Sequence, residues 1–191
     1  MRSGGGALLA VVTALVALTS CGRHTALRQE PVLPPPALTT AAPAEPACTG
    51  GLRFTTSGGD AATGLRVMAV EVVNCGIEPV QLNGHPQVRL LDERWQPLDV
   101  AVLPGSGGIA RLEGFDDPPQ PITVQPGERA RSAILWRNTH TTLDPPQVGS
   151  HVDLAAAPGG AWQSLVPVAP ERSINIDLGS TGRIGVRAWY R

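Results

Sequence analysis

Three hydrophobic patterns succeed one another along the chain. The first is a single apolar run from Ala7 to Leu18, broken only by Thr13. It is too short to span a bilayer as a stable helix and has the length of a signal-peptide core. From Gly22 to Ala47 no apolar period survives. Pro31, Pro34, Pro35, Pro36, Pro43 and Pro46 are spread among Ala, Thr and Leu. That composition predicts an extended, polyproline-like tether, in which 26 residues at ~3 Å each reach several nanometres. From Cys48 onward, short apolar runs alternate with Gly- and Pro-containing breaks, the mark of strands and turns.

Within that third region, Leu52–Thr56 is a predicted strand and Ser57 to Asp60 a turn. Leu65–Val73 is the strongest β segment. It is Val-rich and largely apolar on both faces, so a central strand is expected. Val80–Leu82 is short. Gln87–Leu91 and Leu98–Val102 flank Asp92–Pro97 as a hairpin with a longer loop, and a Gly- and Pro-rich excursion runs from Leu103 to Pro121. Ile122–Gln125 and the turn Pro126-Gly127 lead to Arg129–Arg137. There Ala130, Ser132, Ile134 and Trp136 share one face, and Arg129, Arg131 and Arg137 the other. A polar loop from Asn138 to Gly149 precedes His151–Ala155. Trp162–Val168, Ser173–Leu178 and Arg183–Tyr190 complete about nine strands, and no helix is predicted after residue 20. The expected fold is an all-β, immunoglobulin-like antiparallel β-sandwich over residues 48–191. A signal peptide (1–20) and a tether (21–47) are expected to precede it.

Composition narrows the function classes. The formal net charge is −1, so nothing implies a nucleic-acid partner. All 15 cationic residues are arginine, which excludes Ser-x-x-Lys chemistry. Gly-x-Ser-x-Gly does not occur, and His85, His140 and His151 are far apart in sequence. A catalytic residue set is therefore not identified, and a hydrolase or transferase acting on envelope material is the alternative function. No metal site is expected, because Cys and His do not cluster and mature methionine is limited to Met68. Asp116 and Asp117, with Glu113 nearby, lack the alternating spacing of a calcium loop and are expected to be solvated. No cofactor is called for. Among Trp95, Trp136, Trp162 and Trp189, core packing is the expectation, with Trp95 placed at the surface by its turn.

Leu18-Thr19-Ser20-Cys21 resembles the bacterial lipobox. The resemblance implies cleavage before Cys21, a diacylglycerol on its thiol, and a protein held at the extracytoplasmic face of the cell membrane. Two acyl chains anchor a protein far better than one. Two cysteines then remain in an oxidising compartment, where an even pair forms a disulfide; a metal site there would need further ligands. Cys48 stands just ahead of the first strand and Cys75 ends the next strong one. In an antiparallel pair those two points are neighbours.

Several features together resemble the family known as domain of unknown function 4232, found in actinobacterial lipoproteins. They are the Val-rich strand ending in Asn74, then Leu82-Asn83-Gly84-His85-Pro86, with Val88 and Leu90 after it. Pro126-Gly127 before a strand ending in Trp136 follows, with Gly182-Arg183-Ile184 leading to Trp189. The resemblance covers residues 48–191 and implies an immunoglobulin-like sandwich with no established activity. Members often carry a cysteine where Gln81 stands here; in this chain the cysteine is Cys75. The expected function is a non-catalytic binding or interaction module. Arg129, Arg131 and Arg137, joined by Arg183 and Arg187 if their strands are neighbours, form a candidate anion-binding face. Its partner would be an anionic envelope component or another envelope protein.

Overall fold

The computed structural model describes residues 48, 50–168, 170 and 172–191. The predicted signal peptide, Cys21 and the tether lie outside the described residues. Among those residues there are fourteen strands and no helix. In chain order they are β1 (Leu52–Thr56), β2 (Gly59–Ala62), β3 (Leu65–Asn74), β4 (Val80–Leu82), β5 (Gln87–Leu91), β6 (Ala101–Pro104) and β7 (Ile122–Val124). Then come β8 (Arg129–Arg137), β9 (Val148–Gly149), β10 (His151–Ala155), β11 (Gln163–Ser164), β12 (Val166–Pro167), β13 (Ile176–Asp177) and β14 (Arg183–Val186).

Two long strands organise the domain. β3 and β8 pair antiparallel over their full length, from Leu65 opposite Arg137 to Val73 opposite Arg129. Both are rich in Val, Ile, Leu and Ala, which suit a pleated, half-buried surface. Around them the larger sheet runs β12-β1-β3-β8-β14-β6. β1 and β2 flank successive halves of β3 on one side. The edge pairs β1–β12 and β14–β6 are parallel. The facing layer consists of a three-stranded sheet, β11-β10-β5, and two small ladders, β13-β9 and β4-β7. Inward side chains of both layers meet in one core: Phe54, Val70, Val72, Ile134 and Ile184 from one, Leu82, Leu90, Val124, Leu154 and Ile176 from the other. The all-β sandwich expected from the sequence is the observed architecture.

The strands expected at Ser173–Leu178 and Arg183–Tyr190 shorten to Ile176–Asp177 and Arg183–Val186, and three further segments differ in kind. Ser57 to Asp60 is not a simple turn, because Gly59–Ala62 pairs with β3 and the reversal falls at Thr63-Gly64. β2 has no apolar period and all four residues are exposed, so only backbone pairing marks it. The expected hairpin 87–91/98–102 begins as such, with Leu91 bridging Pro97 and Leu98 N–H donating to the Leu90 carbonyl at 2.9 Å. The chain then leaves for the other layer, where β6 lies parallel to β14. Trp162–Val168 likewise is not one strand. β11 joins β10 in the facing layer, buried Leu165 turns inward, and β12 joins β1 in the larger sheet. Both segments are corners where the chain switches sheets.

The 105–121 excursion is a packed structure. Ile109 and Phe115 bury against Ala133 and Leu135 on the outer face of β8, with Leu65, Val67, Ala110 and Leu112 around them. Its backbone rests on Gly185, where an added Cβ would come within 2.6 Å of the Gly105 carbonyl oxygen. Only glycine lets the loop approach the sheet so closely.

Candidate functional site

The outer face of the larger sheet carries the predicted arginines. β8 and β14 are neighbours, as the arginine face requires, with Gly185 opposite Leu135. The face is not continuous, however. Ala133 and Leu135 lie between Arg131 and Arg137, and the excursion covers them. Arg137 Nε donates to the Ile109 carbonyl at 3.2 Å and so helps hold that cover. Arg183 is exposed at the same end as Arg137. Arg129 and Arg131 remain at the other end, in an open groove of about 410 Å³ lined also by Glu71, Thr55, Ser57 and Tyr190. Arg129 Nη1 pairs with Glu71 at 2.9 Å. The Arg131 side chain makes no ion pair among the described residues, and its backbone is locked to Tyr190 by reciprocal bonds of 2.8 and 2.9 Å. Arg187 lies over the Tyr190 ring, 3.7 Å from its centroid. In the groove itself, Arg129 and Arg131 stand against the single carboxylate of Glu71, while Arg187 lines a neighbouring groove with Asp117.

At the start of the described domain, Cys48 and Cys75 form a disulfide with Cα atoms 6.0 Å apart. The register explains it: Leu52 opposes Asn74, so the residues just beyond both ends adjoin. Asn74, fully buried, ties four segments together. Its Nδ2 donates to the Glu78 and Val124 carbonyls, both at 2.8 Å, and its Oδ1 accepts from Gly76 N–H at 3.0 Å. Its own backbone exchanges bonds with Glu128 and Gly127. A buried amide so fully satisfied fixes local structure.

A third place was not anticipated. On the outer face of β5, β10 and β11, His151, Asp153, Arg89 and Ser164 line up by pairing register. Arg89 Nη2 meets Asp153 Oδ2 at 2.5 Å, and Asp153 Oδ1 accepts from Ser164 Oγ at 2.9 Å. Trp95 stacks on His151 with centroids 3.6 Å apart and planes 12° from parallel. Trp162 lies under the Arg89 guanidinium at 4.7 Å. Trp162, expected in the core, is instead 44% exposed, because it shares the outward parity of Ser164 on β11. Trp95 is 54% exposed, as its turn predicts, while Trp136 and Trp189 are core.

The histidines stay apart. His85 lines a groove with Gln87, Val102 and Pro104, and burial pushes its pKa below the usual value. His151 is committed to Trp95, and His140 lies in an exposed loop. No histidine hydrogen-bonds a serine or carboxylate among the described residues, and none of these residues gather as three or more potential metal ligands. Asp116 caps the excursion. Its Oδ1 accepts from Ser106 N–H at 2.6 Å, and that bond holds its carboxyl below the ordinary range.

A family described as domain of unknown function (DUF4232) matches residues 48–190. The chain belongs to this family. The matched span opens on the first disulfide cysteine and takes in both layers of the sandwich. The geometry gives physical reasons for the family-like motifs. Asn74 is the buried hub, Leu82 is core, and the Gly84 carbonyl accepts from Trp189 N–H at 2.9 Å, joining the central motif to the C-terminal one. Trp189 in turn stacks on Phe54 at 6.2 Å and donates from Nε1 to the Ala156 carbonyl at 2.8 Å. No curated protein and no solved structure matches this DUF4232 chain.

Proposed function

We propose that this DUF4232 domain is a non-catalytic binding module, held at the extracytoplasmic face of the cell membrane by a lipid on Cys21. Its basic groove contacts phosphate or carboxylate groups of the envelope. The observation that supports the groove is Arg131, exposed and without an ion-pair partner among the described residues, set beside Arg129 and Tyr190. A planar guanidinium of this kind suits bidentate contact with phosphate or carboxylate. The lipobox-like tetrad supports the anchor, and the disulfide suits an oxidising compartment. The alternative, a hydrolase or transferase, wants a histidine beside a nucleophile or carboxylate. No such pair occurs among the described residues.

Two arms test the proposal on the intact chain. Replacing Cys21→Ala is expected to move the protein from the membrane to the soluble fraction; equal retention would remove the anchor. Binding to vesicles containing an anionic phospholipid, and separately to soluble polyphosphate, is expected to weaken with added salt, because exposed charges are screened within ~8 Å at physiological ionic strength. Arg131→Ala should lower that binding several-fold. Vesicles alone would point to a headgroup, polyphosphate alone to a free polymer. Binding that ignores both salt and Arg131→Ala would dismiss the groove.

A further inference from the structure

The face opposite the arginine groove carries a different chemistry. Trp95 packs at the His151 end of β10. Trp162 adjoins Gln163, which pairs with Leu154 near the other end. Four residue steps separate His151 from Ala155, ~13 Å at strand rise. Each indole has one face already covered, by the His151 ring or by the Arg89 guanidinium. Its exposed surface is therefore the opposite face and edge.

The Trp95 ring is held by its turn, and Trp162 lies against the Arg89 guanidinium. Asp92 fixes the Trp95 turn, its Oδ1 accepting from Arg94 N–H at 2.8 Å and Gln96 N–H at 2.9 Å. Trp95 sits at φ +62°, a conformation L-residues rarely adopt, so its place is imposed by the turn and the stack. Between the indoles lie polar groups: the guanidinium of Arg89, the carboxylate of Asp153 and the hydroxyl of Ser164. Arg89 and Asp153 neutralise each other, so the strip between the indoles offers no net charge to select an ion.

Rigid, exposed aromatic faces flanking neutral hydrogen-bonding groups match a ligand with apolar C–H faces and a rim of hydroxyls. We propose that the outer face of β5, β10 and β11 is a platform for an uncharged polysaccharide, with Trp95 and Trp162 stacking on sugar rings and Arg89, Asp153 and Ser164 meeting their hydroxyls. The separation of the two indoles suits an oligomer, not a single sugar. The site is independent of the basic groove and of its proposed ligand.

The test uses the full-length chain in detergent, run by affinity electrophoresis through gels containing a neutral β-glucan, a galactomannan or an N-acetylglucosamine oligomer. At least one probe is expected to retard the protein, equally at low and high salt. Trp95→Ala and Trp162→Ala should each weaken that retardation about tenfold, the size of one aromatic stacking contact, with melting temperatures confirming that both variants fold. Arg131→Ala should leave it unchanged, which separates this site from the groove. Absence of retardation by every probe, or retention of it in both tryptophan variants, would overturn the proposal. So would self-association of the parent that both tryptophan variants abolish, since the face would then be a protein contact.

Discussion

The two outer faces of the sandwich differ in what covers them. On the larger sheet, residues 105–121 fold back over β8 and build a second small core around Phe115 and Leu135. On the facing layer, no comparable second core forms over the β5–β10–β11 sheet among the described residues, and two tryptophans stand exposed on it. A face that carries its own core is part of the stability of the domain. A face that displays indoles without burying them matches the contact role proposed for it. The contrast predicts unequal costs of truncation. Phe115→Ala should destabilise the domain by about 3–5 kcal/mol, as core aromatic truncations do. Trp162→Ala should stay within about 1 kcal/mol. Denaturant midpoints of the two variants measure this directly, and equal costs would dissolve the distinction between a built face and a displayed one. Loosening the excursion should also expose the stretch between Arg131 and Arg137, so Phe115→Ala is expected to bind anionic vesicles more strongly than the parent.

Much of this fold was readable in the sequence, for a physical reason. β1, β4, β5, β8 and β10 begin and end where apolar alternation and turn residues place them, because burial of one face writes a period of two into the chain. Periodicity records burial but not the partner. Leu98–Val102 and Trp162–Val168 look like single strands because both layers bury their inner faces equally, so a chain that changes sheet partway keeps an apolar character. β2 was invisible because it buries nothing. The small core was invisible because Ile109 and Phe115 stand alone among Gly and Pro. At the candidate sites, the disulfide and the arginine parity were legible locally. The division of the arginine face and the meeting of Trp95 with His151 depend on contacts between segments distant in sequence.

A smaller effect sharpens the contrast at the displayed face. Trp95 holds φ +62° although it is not glycine. An L-residue there costs roughly 1–2 kcal/mol, which glycine avoids. Trp95→Gly and Trp95→Ala both remove the stack on His151, so their difference isolates the backbone. The glycine variant should be more stable than the alanine variant by about 1 kcal/mol in urea unfolding, and both should bind the polysaccharide probe about tenfold more weakly than the parent. An alanine variant at least as stable as the glycine one would show that the turn does not impose this conformation on residue 95.

The smallest effect belongs to the seam between the two faces. His85 lies where the start of β5 in one layer approaches β6 at the edge of the other, with Gln87, Val102 and Pro104 beside it. Burial lowers its pKa from the ordinary value of 6.5, so the folded state prefers the neutral imidazole. As pH falls below 6.5, the unfolded chain takes up this proton before the folded one does, and stability falls with it. The loss stops growing once pH passes below the folded value, where both states are protonated. Asp116 acts in a separate window. Its folded pKa lies below the ordinary 3.8, so its contribution is intact above 3.8 and disappears as pH falls through the folded value. Between about pH 7.5 and about pH 5 the histidine window can therefore be read without interference from Asp116. Over that interval the urea midpoint of the parent should decline, and the decline should be shallower in His85→Gln, which keeps a polar, uncharged side chain at the seam. Parallel slopes in parent and variant would place the acid sensitivity elsewhere and leave the junction between the two layers indifferent to protonation.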